Sequence, residues 1–162
     1  MAKKIRTIKK YQNKKVRVDP LYQSFWFSKF INKFMLQGKK HLIEKIIYNS
    51  FYQMKNKFRR QPLILLFIIL MKLKPLLGFI SKRLGKEWKQ IPVPLAPRRQ
   101  LIMALKWLVA HTKTESDRTL EARLIRVFNS FFQKKKTALT KYRNQYHFNL
   151  TQERVNSRFR WK

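Results

Sequence analysis

The chain has 162 residues, of which 39 are Lys or Arg and only seven Asp or Glu, for a formal net charge of +32. Its 44% hydrophobic and 14% aromatic content excludes a disordered polybasic tail, and a domain of this length can bury roughly 70% of its unfolded surface. Cysteine is absent, which excludes disulfides and thiolate metal sites.

A compact body this basic repels itself, so a polyanion lowers the cost of folding. Nucleic acid and anionic lipid are the two candidates. Residues 1–18 read as a basic arm: Lys3, Lys4, Arg6, Lys9, Lys10, Lys14, Lys15 and Arg17 precede the first acid, Asp19, and no apolar segment of a secretory signal lies among them. The arm's lack of acids loosely resembles a mitochondrial targeting peptide, although it is poor in Ser and Arg. Residues 19–162 are expected to fold as one helical domain.

From Asp19 to Gln37, the side chains of Trp26, Phe27, Phe30, Ile31, Phe34 and Met35 draw a stripe on one helical face. Lys29 and Lys33 lie off that stripe, and Gly38 suits the helix stop. Ile43, Ile46, Ile47, Phe51, Met54 and Phe58 repeat the pattern for a second helix. A third starts at Pro62, where the missing N–H costs nothing, and stops before Pro75. Its stretch Leu63–Met71 is wholly apolar but only nine residues long, and a bilayer span needs about 20. Burial on several sides of a core is the expectation.

Residues 76–95 change character. Two β-prone pieces flank Gly85-Lys86, a turn signal, and Pro92 and Pro94 forbid a central strand because proline donates nothing to a ladder. A protruding two-stranded ribbon fits, with Lys82, Arg83, Lys86 and Lys89 near its tip. Such a ribbon is marginal alone, so its tip should rest on something. A fourth helix is expected over 97–111 and a turn over 112–117. Thr114 and Asp117 have capping-box spacing for a fifth helix that buries Leu120, Leu124, Val127, Phe128 and Phe131. Lys134, Lys135 and Lys136 would then complement its C-terminal dipole. A weakly patterned helix over 141–155 and a basic tail complete a mainly α fold, about six helices with a ribbon between the third and fourth.

Many of these residues, in this order, resemble one family. Asp19-Pro20, Phe30-Ile31-Asn32, Met35, Gly38-Lys39-Lys40, Glu44 and Ile47-Tyr48 look like its signature region. Lys74-Pro75 follows, then Ser81, Arg83, Gly85, Gln90, Pro92 and Val93 in the ribbon. Pro97, Ala104-Leu105-Lys106-Trp107, Ala122-Arg123-Leu124, Thr137-Ala138, His147 and Phe159-Arg160-Trp161 close the series. The family is ribosomal protein seven of the small subunit, and the resemblance covers about the whole chain. It implies a six-helix domain that binds the 3′ head domain of small-subunit rRNA and nucleates head assembly. It also implies a ribbon beside the exit-site tRNA and the mRNA path, and neighbours among the head proteins and platform protein eleven. There are departures. Gln100 stands where a second Arg is usual, with Arg98 keeping the pair. Lys86 replaces a second turn glycine, the third helix lacks its charged face, and the segment between Thr137 and His147 is one residue longer. An extra partner or a thicker core would account for the apolar third helix.

On charge and resemblance together, the rRNA-binding residues are expected to be Lys3, Lys4, Arg6, Lys9, Lys10, Lys14, Lys15 and Arg17 of the arm, with Lys29, Lys33, Lys39, Lys40, Arg98, Arg99, Lys106, Lys135, Lys136 and Lys141 of the body. Lys82, Arg83, Lys86, Trp88 and Lys89 form the ribbon set, and Arg158, Arg160 and Trp161 the C-terminal contact. Bland roles compete with each. Lys39 and Lys40 would compensate a helix C-terminus, the ribbon lysines would guard a strand edge, and Trp88 would pack across the ribbon as readily as stack on a base. Trp26, Trp107 and the phenylalanine stripes read as core.

The acids Asp19, Glu44, Glu87, Glu115, Asp117, Glu121 and Glu153 are scattered, and His41, His111 and His147 share no ligand spacing. No catalytic motif appears. Neither an enzyme, a cofactor, a metal nor a small-molecule substrate is expected. The runner-up is a peripheral membrane protein with basic amphipathic helices, which would not need a ribbon with a basic tip. A Phe-, Ile- and Lys-rich divergence points to a mitochondrial ribosome, with a plastid or the bacterial cytoplasm as alternatives.

Overall fold

Asp19 does not begin a helix. Its carboxylate is buried, Oδ2 accepting the Tyr22 N–H at 3.0 Å and Oδ1 the Tyr48 hydroxyl at 2.6 Å. This holds residues 19–23 in a turn and delays the first helix to Ser24, whose hydroxyl accepts the Phe27 N–H. These features come from a computed structural model that describes residues 18–133 and 137–161, the last two of them by backbone alone. Helix α1 then runs Phe25–Phe34 and ends four residues before Gly38. Gln37 and Gly38, with φ of 52° and 74°, make the left-handed turn into α2, Lys40–Phe58.

Burial first, then the hydrogen bond to Asp19, push the Tyr48 hydroxyl well above the ordinary tyrosine value. The folded state therefore holds this proton more tightly than the unfolded chain does. The stabilisation is fully present below about pH 10 and is lost as pH climbs past it. Tyr48→Phe takes a donor from a buried carboxylate. It should cost about 1–3 kcal/mol near neutral pH and make the alkaline loss of stability shallower. Urea unfolding at neutral and alkaline pH measures both effects.

Six α-helices and one two-stranded sheet appear among the described residues. After α2 come α3 (Pro62–Leu73), β1 (Leu77–Leu84), β2 (Glu87–Pro94), α4 (Pro97–Thr114), α5 (Leu120–Phe132) and α6 (Ala138–Gln152), and a 3₁₀ helix covers Glu153–Trp161. The first five helices and the start of α6 share one core, and Phe51 sits at its centre. The Phe51 ring meets Phe27, Phe30 and Phe128 edge-on at centroid distances of 5.1, 5.9 and 5.3 Å.

Helix α3 corrects one expectation. Leu65, Leu66, Ile69, Leu70 and Leu73 are buried, but Ile64, Phe67 and Met71 stand about half exposed on a single stripe. The helix is covered on one side only, so a thicker core does not account for its apolar sequence. Its C-terminal carbonyl at Lys72 accepts Arg143 Nη1 from α6 at 2.7 Å, a cation where the helix dipole favours one.

The ribbon falls where the turn and proline signals put it. Leu77 pairs with Pro94 through Leu84 with Glu87, so the loop is the two residues Gly85-Lys86. Positive φ is confined to Gly85, at 64°. Only the first turn position needs glycine, as in a type II′ hairpin, which is why Lys86 is tolerated. Pro92 and Pro94 lie on β2, an edge strand by necessity. The ribbon's base rather than its tip is anchored. Phe79 meets Tyr146 of α6 edge-on at 5.5 Å, Asn156 Nδ2 donates to the Gln90 carbonyl at 3.4 Å, and Ile91 is buried.

Three further boundaries moved. Helix α4 runs on to Thr114, into the anticipated turn, because Thr112 is buried and returns its hydroxyl to the Leu108 carbonyl at 2.8 Å. Thr114 is then no cap for α5; its hydroxyl donates to the His111 carbonyl. Thr119 caps α5 by accepting the Ala122 N–H at 3.3 Å. Asp117 instead accepts Arg126 Nη1 at 3.0 Å. Helix α6 starts at Ala138, three residues early, where Thr137 accepts the Thr140 N–H.

Candidate nucleic-acid interface

Charge in this fold is nearly all unmatched. Asp19 is consumed by Tyr22 and Tyr48, and Glu121 and Glu153 accept from Asn49 and Asn156. Among the described residues, only Lys40 (to Glu44, 3.1 Å), Lys89 (to Glu87, 3.7 Å) and Arg126 (to Glu115 and Asp117) are Lys or Arg paired with a carboxylate. The remaining Lys and Arg side chains among the described residues have no carboxylate within ion-pair distance, which leaves them available to external anions.

Some predicted residues converge. The start of α1 meets the start of α4, and Phe25 gathers a cation from each: Lys29 Nζ lies 5.5 Å and Arg98 Cζ 5.6 Å from its ring centroid. Arg99, beside Arg98, is exposed. Lys33 is exposed further along α1 and Lys39 in the turn before α2. Lys39 and Lys40 do not compensate a helix C-terminus, since α1 has already ended. They sit at the N-terminus of α2, where the dipole disfavours cations. Glu44 offsets Lys40, and Lys39 is left with the free amides of a helix start, an arrangement suited to a phosphate.

The ribbon set divides between two faces. Lys82 stands directly opposite Lys89, and Arg83 opposite Trp88 on the other side. Like charges across a ladder destabilise it, and Glu87 relieves this only through an exposed pair with Lys89. Arg83 Nε donates to the Gly85 carbonyl at 3.2 Å, which braces the turn. Trp88 is 71% exposed, with Arg83 opposite it across the ladder and no ring among the described residues packed on it. Lys106 on α4 and Lys141 on α6 are exposed, and Arg158 lies over the Phe159 ring at 4.9 Å. Lys3, Lys4, Arg6, Lys9, Lys10, Lys14, Lys15, Arg17, Lys135 and Lys136, with the side chains of Arg160 and Trp161, lie outside the described residues.

Sequence reasoning missed Phe25, Tyr142 and Tyr146. Trp107 is half-buried, not enclosed, and its ring meets Tyr142 at 5.5 Å and Tyr146 at 4.9 Å. The four-residue spacing of the two tyrosines was a usable signal. Burial first, then the neighbouring Tyr142, raise the Tyr146 hydroxyl above its usual range, against a lowering from a Phe79 backbone hydrogen bond and Arg99. His147 is pushed below the ordinary histidine value by burial and then by Arg143. Among the described residues no three His, Asp or Glu side chains come together as a metal site, and no helix is long and apolar enough to cross a membrane.

Fold and charge together define a basic helical domain with a protruding ribbon, suited to a polyanion. The chain belongs to the ribosomal protein S7p/S5e family, whose model matches residues 5–148. It is 31% identical to small ribosomal subunit protein uS7 of Ruegeria pomeroyi, over 93% of this chain and 96% of that one. It is 32% identical to the protein of the same name from Metamycoplasma arthritidis over 76% and 77% of the two chains. The protein of that name from Wigglesworthia glossinidia brevipalpis is 29% identical over 88% and 91%. The resemblance to ribosomal protein seven is thereby borne out. A member of this family is a structural component of the ribosome, not an enzyme.

Proposed function

We propose that this chain binds the 3′ head domain of small-subunit rRNA and supports assembly of the head, with residues 1–18 as a phosphate-binding arm and 19–162 as the folded body. The supporting observation is that, among the described residues, few Lys or Arg side chains have a carboxylate partner. Lys29, Lys33, Lys39, Arg98, Arg99, Lys106 and Lys141 contact phosphate, which positions the body on folded RNA. The ribbon lies beside the exit-site tRNA and the mRNA path. It offers cations on both faces and an exposed Trp88 that can stack on an unpaired base.

Its protein neighbours are head proteins and platform protein eleven. The half-exposed stripe on α3 supports a protein contact, because Ile64, Phe67 and Met71 present nothing that a phosphate can use. A membrane is disfavoured there: an interfacial helix needs a charged outer face, and the other face of α3 is core. The Phe-, Ile- and Lys-rich composition supports a mitochondrial ribosome, while the bacterial relatives favour a bacterial one.

Reversal of Lys82, Arg83 and Lys86 to Glu tests the ribbon. All three lie at the tip, away from the core, so circular dichroism should show an unchanged fold. Small-subunit assembly or exit-site function should be impaired. Normal ribosome profiles and normal translation from the variant would overturn the assignment.

A further inference from the structure

An open cleft of about 350 Å³ lies between the C-terminal half of α4 and the start of α6. Trp107, His111 and Thr114, at positions i, i+4 and i+7 of α4, form one wall, and Leu139 and Tyr142 of α6 face them. Trp107 is half-buried and held edge-on to Tyr142, whereas Tyr142 is 55% exposed and presents its ring to solvent. Polar groups are few and placed: the His111 imidazole, held by Glu115 at 3.2 Å, and the Thr114 hydroxyl, which donates to the His111 carbonyl and keeps its lone pairs free to accept. Around this cleft, Lys106 and Lys113 of α4 and Lys141 of α6 are exposed, and none is paired with a carboxylate.

An unpaired RNA base needs an aromatic face to stack on, polar groups for its edge and cations for its flanking phosphates. This cleft combines all three. The cleft along α3 and Trp26 has walls almost wholly apolar, and the one along the outer face of α5 has no aromatic ring.

We propose that the α4–α6 cleft receives one unpaired base of the RNA, stacked on Tyr142 against Trp107, with the adjoining phosphates on Lys106, Lys113 and Lys141. The proposal rests on the rRNA-binding reading above and adds a base-stacking site to it. Stacking and phosphate contact differ in their salt dependence, so they can be separated. Loss of a stacked ring weakens binding equally at all salt concentrations, whereas loss of a phosphate contact lowers the slope by about one.

The test measures affinity of the full chain for a small-subunit head-domain rRNA fragment across a salt series. Tyr142→Ala should weaken binding about 5- to 150-fold with an unchanged slope. Tyr142→Phe, which keeps the ring, should bind like the parent. Lys106→Ala should lower the slope by about one. If the parent binds rRNA and Tyr142→Ala binds equally well, the stacking site is wrong and the RNA-binding reading stands. If the parent itself does not bind, both fall. A second arm adds adenosine monophosphate to a Trp26→Phe, Trp88→Phe, Trp161→Phe background and follows Trp107 fluorescence. Saturation by the free nucleotide with no competition against rRNA would assign the cleft to a small molecule and overturn the proposal.

Discussion

Phe51→Ala is expected to lower the stability of the domain by about 3–5 kcal/mol. The ring is fully buried and is the meeting point of α1, α2 and α5, through Phe27, Phe30 and Phe128. Its removal loses transfer free energy and also the edge-to-face contacts, each worth about 0.5–1.5 kcal/mol beyond burial. It leaves a hole that three rigid rings cannot collapse to fill. Small domains have only about 5–15 kcal/mol in hand, and this one must also withstand its own charge. Urea unfolding should show a lower midpoint with a similar slope. The adjacent Tyr52, 64% exposed on the same helix, is the control: Tyr52→Ala should change stability by about 0.5 kcal/mol or less. A Phe51→Ala loss no larger than that of the control would mean that the aromatic cluster is not what holds α2 against α5. Added rRNA should restore part of the loss, since a ligand that binds only the folded state stabilises it.

Deletion of residues 1–17 should flatten the salt dependence of rRNA binding. The segment carries eight Lys and Arg and no acid. Each phosphate neutralised on duplex RNA or DNA adds roughly 0.9 to the slope of log affinity against log salt, so the deletion can remove up to about seven units of slope. The effect on affinity is correspondingly steep at low salt and fades as salt rises. Filter binding over a salt series measures the slope. An unchanged slope would place the arm away from phosphate and throw the interface back onto the body and ribbon.

Where the sequence was legible, the side chains carried directional information. The α1 and α2 stripes each have one apolar face, and the structure buries it. Pro62, Gly85, Pro92 and Pro94 act through backbone geometry that needs no tertiary context, and α3 and the ribbon fall where those residues put them. The boundaries that moved did so through long-range or competing polar contacts. Asp19 is pinned by Tyr48, 29 positions away, and no local pattern announces such a partner. Thr112 looks like a breaker and is absorbed because its hydroxyl finds the helix's own carbonyl. The exposed face of helix α3 was unreadable for the opposite reason. An all-apolar segment has no preferred face, and only its neighbours decide which side stays outside.

The candidate site divides in the same way. The excess of cations, the lack of clustered titratable groups and the basic tip of the ribbon follow from residue identity alone, because charge and turn chemistry are properties of single residues and their near neighbours. Which cations share a surface does not. Lys29 and Arg98 meet over Phe25 only because α1 packs on α4, and Trp107 faces Tyr142 only because α6 returns across it. The amino-acid sequence by itself determined a mainly helical, family-typical body basic enough that a polyanion lowers the cost of its folding. The tertiary structure alone decided how those charges and rings are grouped, since contacts between distant segments depend on how helices pack and on no local pattern.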